Sequence, residues 1–306
     1  MKFTKFIFST LNLSREYLES IFSLASKIEQ NPENYLNKCN GKILAILFFE
    51  PSTRTMLSFE SAMLRLGGSI LGFASGKTSS SAKGETIADT LRMINGYADI
   101  AVIRHYLEGV GEIAKKYSSI PVISGGTGTQ AHPTQAMLDL YTIKKAFGKI
   151  DGLKIALMGD LKYGRTIPSL LYGLAKYDDV TLYLISPKEL KIRSHVRQRL
   201  NGFNLKFYEI DDISQIIDEL DVLYVTRIQK ERFPDQLDYE RLKSSYKISP
   251  ETLNNVKDSF ILLHPLPRVD EITPEVDSLP CAKYFEQAKN GVFVRMALIL
   301  NLLGVE

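Results

Sequence analysis

Short apolar runs alternate along this chain with segments whose apolar residues recur at helical spacing. Runs of strand length occur at 43–49, 69–74, 100–103, 121–124, 154–158, 180–185, 204–208, 222–226 and 260–263. Helical periodicity predicts helices at 12–30, 86–97, 110–117, 134–147 and 290–303. Strands that alternate with helices through short connections are typical of parallel sheets covered by helices on both faces. The pattern therefore predicts an α/β protein.

The alternation stops and restarts once, near the middle of the chain. Residues 148–152 have the composition of a linker, and a new apolar strand begins at Lys154. We predict two Rossmann-like domains, at 1–147 and 148–289, each a mainly parallel sheet with helices on both faces. The active site is expected in the cleft between them. The apolar C-terminal helix, at about 290–306, is expected to pack back on the first domain.

The stretch FFEPSTRT, at 48–55, lies where the first long strand passes into an amphipathic helix that Gly67 and Gly68 end. Residues 52–55 therefore meet the free N–H groups and the positive dipole end of a helix. Their hydroxyls and one guanidinium suit a phosphate-sized dianion. An ordinary helix cap with a solvated arginine is the alternative, and an isolated Ser-Thr-Arg is more often that.

Polar groups follow most of the predicted strands. In open parallel sheets, ligands bind outside the carboxyl ends of the strands. The groups at these ends are residues 52–55, residues 79–83, Arg104, His132 with Gln135, Arg165, Arg227 with Gln229, and residues 264–268. This set is overwhelmingly positive although the net charge of the whole chain is only +3. We expect an anionic substrate with more than one anionic group.

Composition excludes several classes of protein. The 306 residues are enough for two domains, and 44% hydrophobic residues are ordinary for a globular protein. The small net charge and the lack of a basic run predict no nucleic-acid partner. Polar residues interrupt the apolar start of the chain, so no signal peptide and no membrane span are expected. Cys39 and Cys281 lack metal-ligand spacing, which predicts free thiols in a reducing cytoplasm and no metal site.

Four motifs in order resemble the aspartate and ornithine carbamoyltransferases: FEPSTRT at 49–55, SSAKGET at 80–86, HPTQ at 132–135 and HPLPR at 264–268. The resemblance covers essentially the whole chain. HPLPR stands where the ornithine enzymes carry His-Cys-Leu-Pro, and TRIQKER at 226–232 resembles an aspartate-binding loop. Within the family the chain is therefore similar to the aspartate-specific branch.

The resemblance implies a reaction. The amine of L-aspartate attacks the carbonyl carbon of carbamoyl phosphate through a tetrahedral intermediate, giving N-carbamoyl-L-aspartate and phosphate. This is an early step of pyrimidine synthesis. The resemblance implies no cofactor, no metal and no covalent enzyme intermediate. The chemistry needs a neutral amine, two clamped anions and donors for the developing oxyanion.

The resemblance also assigns groups to the phosphate. Ser52, Thr53, Arg54 and Thr55 match a phosphate-binding turn, in which Arg54 neutralises the leaving group. The Thr55 hydroxyl would face both the phosphate and the carbonyl oxygen. Arg104 matches an arginine that bridges the same two groups.

The carbamoyl group is assigned to two other motifs. His132 matches a histidine that donates to the carbonyl oxygen, and the phosphate rather than His132 is expected to receive the amine proton. Gln135 matches a residue that holds the carbamoyl NH₂, with help from the backbone carbonyls of Leu266 and Pro267. His264 is expected to be structural.

L-Aspartate is assigned to guanidinium groups, whose planar forks suit carboxylates. Arg165 and Arg227 match the two arginines that bind its carboxylates, and Gln229 assists. Glu50 and Arg232 match residues that link the domains in a closed state.

One loop implies a shared site. Lys83 matches a lysine that reaches into the active site of the neighbouring chain, with a serine that is Ser79, Ser80 or Ser81; a gapless match gives Ser79. Sharing of this kind implies a homotrimer. A separate regulatory chain that forms a larger assembly is possible in this family.

Three alternatives compete with this reaction. A nicotinamide-dependent oxidoreductase shares the architecture, but the first strand–helix turn lacks G-x-G-x-x-G and GDLKYGR at 159–165 is a poor substitute. An ornithine or other carbamoyltransferase is the nearest enzyme alternative. A catalytically silent phosphate-binding paralogue is the non-enzyme alternative, although every motif position required for catalysis is filled.

Overall fold

The computed structural model describes residues 5–76, 79–128, 131–203, 205–228 and 246–306. The chain forms two compact units, one of Met1–Leu138 with Lys289–Glu306 and one of Asp139–Ala288. It passes into the second unit inside a helix, Pro133–Phe147, which the segment 148–152 follows. It returns to the first unit inside the last helix, Tyr284–Leu303.

The first unit is built on a five-stranded parallel sheet. Its strands are β1 (Phe6–Ile7), β2 (Ile43–Phe48), β3 (Ser69–Phe73), β4 (Ile100–His105) and β5 (Val122–Thr127), in the order β1-β5-β4-β2-β3. Its helices are α1 (Arg15–Gln30), α2 (Thr53–Arg65), α3 (Ile87–Ile94) and α4 (Val110–Tyr117), and α5 (Pro133–Phe147) begins in this unit. The edge strand β1 was not predicted, because two residues show no periodicity.

Helices cover both faces of this sheet. The chain moves from β2 to β3 in one direction along the sheet, and from β3 through β4 to β5 in the other. Because crossovers between parallel strands are right-handed, α2 lies on one face and α3 and α4 on the opposite face. The second placement agrees with one apolar cluster that joins β2 and β4 to α3 and α4: Ala45, Leu47, Ala101, Ile103, Leu91, Ile94, Val110 and Ala114.

The second unit repeats this plan. Its strands are β6 (Lys154–Met158), β7 (Thr181–Ile185), β8 (Lys206–Ile210), β9 (Val222–Val225) and β10 (Ile261–Leu263), all parallel and in the order β10-β9-β6-β7-β8. Its helices are α6 (Thr166–Leu174) and α7 (Ser194–Asn201), and α8 (Tyr284–Leu303) begins in it. The predicted α/β class with two parallel sheets is confirmed.

Each sheet has one point at which the strand order reverses, between β2 and β4 in the first and between β6 and β9 in the second. The crevice beyond such a point is the usual ligand site of an open α/β sheet. Arg54, Arg104, Arg165 and Arg227 lie on the segments at the carboxyl ends of these four strands. The strand order, which the sequence pattern does not reveal, therefore selects the same residues as the motifs do.

None of the helices in the described ranges has both the length and the apolar character needed to cross a bilayer. The described residues also contain no cluster of His, Cys, Asp and Glu side chains that could hold a metal ion.

Candidate active site

The turn between β2 and α2 leaves the start of the helix without a side-chain cap. Ser52 occupies the N-cap position with extended backbone, and its carbonyl accepts the N–H of Met56 at 3.1 Å, but its hydroxyl makes no capping hydrogen bond. Arg54 is exposed in the first turn of α2, whereas Thr55 is buried. The side chain of Ser52 therefore does not cap the helix. Backbone N–H groups, a cation and a buried hydroxyl occur together in its first turn.

Arg104 is a buried cation at the reversal point of the first sheet. It is the second-last residue of β4 and pairs with Phe48 of β2, so it lies beside the entrance to the 52–55 turn. Its Nη1 donates to the Gly125 carbonyl at 2.9 Å, and its Nη2 lies 3.5 Å from Glu50 Oε1. Only 8% of Arg104 is exposed. Because these partners hold its head from two sides, the guanidinium is placed before any substrate arrives.

His105 supports the same strand end and was not singled out from the sequence. Its ring packs 4.8 Å from the ring of Phe49, between centroids, and its Nδ1 accepts the N–H of Leu107 at 2.9 Å. Burial lowers the pKa of His105 although the Glu50 carboxylate opposes this. The neutral ring therefore braces the turn after β2 against the loop after β4.

The fold brings the HPTQ motif to the 52–55 turn. His132 Nε2 lies 3.5 Å from Thr55 Oγ1, and each residue is 6% exposed. The His132 carbonyl accepts the N–H groups of Gln135 and Ala136, so the backbone of His132 opens α5 while its ring faces Thr55. Gln135 is partly buried in the first turn of that helix. Thr55 and His132 thus form a buried pair, and Arg104 is a buried cation on the strand next to β2.

The loop at 79–83 follows β3 in the first unit. Residues Ser80–Lys83 form a short 3₁₀ turn that ends at Gly84, whose φ is +93°. Ser79 Oγ donates to the Gly76 carbonyl at 2.9 Å, and Lys83 is exposed. Among the described residues, no ion pair or hydrogen bond joins the side chain of Lys83 to the rest of the chain.

In the second unit, the segments that lead to Arg165 and Arg227 pack against each other. The Thr226 N–H donates to the Met158 carbonyl at 2.8 Å, and its hydroxyl lies 3.4 Å from the Asp160 carbonyl. Asp160 Oδ1 accepts two N–H groups of the loop after β6, from Lys162 at 3.1 Å and Tyr163 at 2.8 Å. This curled loop positions Arg165 just before α6, and both arginines are partly exposed.

Gly159 is required at this contact. Its φ is +112°, and a Cβ at this position would stand 2.1 Å from the Thr226 carbonyl oxygen. We expect Gly159→Ala to lower the free energy of unfolding by about 3 kcal/mol or more, from backbone strain and the clash together. Gly148→Ala is the matched control, because Gly148 has a φ of +75° with nothing within 4 Å of a Cβ. It should cost only about 1 kcal/mol. Equal midpoints of the two variants in chemical denaturation would contradict this account of the contact.

The HPLPR segment follows β10. Leu266 has a φ of +55° and is joined to Pro267 by a cis peptide bond. His264 is buried and bonds within this segment. Glu271, Gln287 and Asp139 extend its network, and no sequence signal indicated them, because they lie far apart along the chain and carry no motif. Gln229 and Arg232 lie outside the described residues.

Two family models match this chain. One describes the carbamoyl-phosphate-binding domain of aspartate/ornithine carbamoyltransferase and matches residues 5–145, and the other describes the aspartate- or ornithine-binding domain and matches residues 151–302. The aspartate carbamoyltransferase catalytic subunit of Thermococcus onnurineus is 52% identical over 98% of this chain and 97% of its own. That of Clostridium novyi is 51% identical over 97% of each chain.

Solved structures give the same result. The catalytic subunit of M. jannaschii aspartate transcarbamoylase superposes with a TM-score of 0.92 at 50% identity, covering 98% of each chain. Aspartate transcarbamoylase from Trypanosoma cruzi in complex with carbamoyl phosphate superposes with a TM-score of 0.91 at 38% identity, covering 96% of this chain and 94% of that one.

Proposed function

Since the chain belongs to the aspartate/ornithine carbamoyltransferase family, we propose that it transfers the carbamoyl group of carbamoyl phosphate to the amine of L-aspartate. The products are N-carbamoyl-L-aspartate and phosphate. The observation that carries the choice of acceptor is full-length identity of 50–53% to catalytic subunits of aspartate carbamoyltransferases. The contact between Thr55 and His132, and the burial of both and of Arg104, support the chemistry.

The first unit binds carbamoyl phosphate in this proposal. Ser52, Thr53, Arg54 and the N–H groups of the first turn of α2 hold the phosphate, where the helix dipole adds a favourable field. Arg104 contacts both the phosphate and the carbonyl oxygen. Its charge stabilises both the leaving group and the oxyanion, and its buried position strengthens that effect.

The carbamoyl group is held by polar groups at its oxygen and its nitrogen. Thr55 and His132 donate to the carbonyl oxygen, which makes the carbon more electrophilic. Gln135 and the backbone carbonyls of Leu266 and Pro267 accept from the NH₂. These contacts fix the plane of the carbamoyl group, so that the amine approaches one face of it.

Arg165 and Arg227 bind the two carboxylates of L-aspartate, with Gln229 assisting, and thereby aim the amine at the carbonyl carbon. Lys83 and Ser79 are supplied by a neighbouring chain. The leaving phosphate accepts the amine proton as the tetrahedral intermediate collapses. No step in this sequence requires a covalent bond to the enzyme.

The assembly is a homotrimer with shared sites, to which a separate regulatory chain can be added in this family. The reaction places the protein in de novo pyrimidine synthesis in the cytoplasm. The free thiols of Cys39, which is buried, and Cys281 are compatible with that compartment.

An acceptor assay tests the function. Purified protein with carbamoyl phosphate and L-aspartate is expected to form carbamoyl aspartate, with a kcat/KM at least about 10³-fold higher than with L-ornithine. The physical reason is that the side chain of ornithine ends in an ammonium group, which Arg165 and Arg227 repel, whereas the side chain of aspartate ends in a carboxylate. Turnover of ornithine in preference to aspartate would overturn the assignment, and turnover of neither would favour a silent paralogue.

A further inference from the structure

The HPLPR segment presents two backbone acceptors in an unusual conformation. Leu266 is partly buried and Pro267 is exposed, and no N–H or O–H of the described residues donates to either carbonyl. The φ of +55° at Leu266 belongs to a region that a branched L-residue rarely occupies. Such a conformation persists only where surrounding groups enforce it. The groups that enforce it here are buried and polar.

His264 binds the segment at its centre. Its Nδ1 accepts the N–H of Leu266 at 2.8 Å, so the ring proton is on Nε2. Nε2 in turn lies 2.7 Å from Glu271 Oε1 and donates to it. His264 is 2% exposed, so this geometry is shielded from water. The ring therefore fixes the backbone of Leu266 directly.

Glu271 binds the other end of the segment. Its Oε2 accepts the N–H groups of Val269 at 3.0 Å and Asp270 at 3.1 Å. Burial opposes ionisation of Glu271, but the hydrogen bonds from His264 and the backbone outweigh burial and keep its pKa below the usual value. The carboxylate is therefore charged at neutral pH, and it ties His264 to the residues that follow Pro267.

Two further side chains anchor His264 to the helices. The His264 N–H donates to Gln287 Oε1 at 2.9 Å, and Gln287 Nε2 donates to Asp139 Oδ1 at 2.6 Å. Gln287 lies in α8 and Asp139 in α5, one helical turn after Gln135. Both are fully buried. A network of this kind is rigid because every change in it leaves a buried polar group without its partner.

We propose that Glu271, His264, Gln287 and Asp139 are positioning residues that make the site selective for a carbamoyl group, by holding the Leu266 and Pro267 carbonyls as acceptors for its NH₂. This inference rests on the proposed function. Two fixed acceptors favour carbamoyl phosphate over acetyl phosphate, which carries a methyl group in place of the NH₂. They contribute nothing to the binding of inorganic phosphate.

A pair of substitutions at His264 tests the proposal. His264→Leu removes the acceptor for the Leu266 N–H and the donor to Glu271. We expect its Kd for carbamoyl phosphate to rise about tenfold, the value of one to two lost hydrogen bonds, while the Kd values for acetyl phosphate and inorganic phosphate change less than about twofold. His264→Asn keeps an acceptor that can reach the N–H two residues on, so it should retain most of the selectivity. Calorimetric titration of the full-length protein with the three ligands gives the values.

His195→Leu is the matched control, because His195 is exposed on α7, and it should leave all three Kd values unchanged. Glu271→Gln disturbs the group that accepts the N–H groups of Val269 and Asp270, so it should also lower the preference for carbamoyl phosphate. If His264→Leu does not fold, Glu271→Gln provides the test. Equal weakening of all three ligands, or unchanged selectivity in a folded variant, would overturn the inference alone. A wild-type protein without preference for carbamoyl over acetyl phosphate would also overturn the inference, whereas the proposed function fails only if the acceptor assay fails.

Discussion

Replacing Arg104 by alanine is expected to lower kcat about 10³-fold, which is the upper range for the loss of one preorganised donor to a developing oxyanion. The reason is its burial. Arg104 is only 8% exposed and its guanidinium is held by Gly125 and Glu50, so neither water nor a mobile side chain replaces it. Arg104→Lys keeps the charge but loses the planar fork, so its kcat should lie between that of the wild type and that of Arg104→Ala.

Arg92→Ala is the control for this experiment. Arg92 lies in the last turn of α3 and pairs with one carboxylate, Asp89 at 2.8 Å, but more than half of its side chain is exposed. Its kcat should remain within about twofold of wild type, because an exposed pair contributes little. Steady-state rates with both substrates, together with melting temperatures, separate catalysis from folding. A folded Arg104→Ala protein with nearly wild-type kcat would remove Arg104 from the proposed chemistry.

The sequence was sufficient for the part of the site that lies within single motifs. Residues 52–55 and 132–135 each follow a strand and open a helix, so apolar periodicity and helix-start chemistry located them without a structure. The family and the α/β class are confirmed for the same reason: they depend on local pattern and on motif order. Arg104 was located as a cation at a strand end.

What the sequence could not provide is the pairing of distant strands. The role proposed for Arg104 depends on β2 and β4 being neighbours, which places it opposite Phe48 and beside Glu50. Strand order depends on the summed energy of the whole sheet, and it produces no periodic pattern of apolar residues in the sequence. The same holds for Gln287 and Asp139, which bond to each other across 148 positions of the chain.

Two element boundaries differ from the prediction for a local reason. The last helix begins at Tyr284 rather than near residue 290, because polar residues (Glu286, Gln287, Lys289 and Asn290) interrupt the apolar pattern of its first turns, although Tyr284 and Gln287 are buried. Strand β8 runs from Lys206 to Ile210 rather than over 204–208. Its burial alternates weakly, and a strand with weak alternation has a poorly specified register.

Mixing two inactive variants tests whether neighbouring chains share a site. Arg54→Ala and Lys83→Ala homotrimers should each be nearly inactive. If every site takes Arg54 from one chain and Lys83 from the next, chance assembly from an equal mixture gives both intact groups to about one site in four. Activity should therefore rise to about a quarter of wild type after the chains are dissociated and reassembled together. The exposed position of Lys83, without a partner among the described residues of its own chain, motivates this expectation.

A second mixture provides the control. Arg54 and Arg104 lie in the same unit of the same chain, so Arg54→Ala and Arg104→Ala chains leave no site with both arginines, whatever the arrangement of the trimer. That mixture should stay inactive at every ratio. Chain exchange is verified by a charge tag on one variant and separation of the hybrids by ion exchange. Recovery in the first mixture and none in the second assigns Lys83 to the neighbour's site, whereas verified hybrids without recovery in either would mean that each chain completes its site with its own lysine.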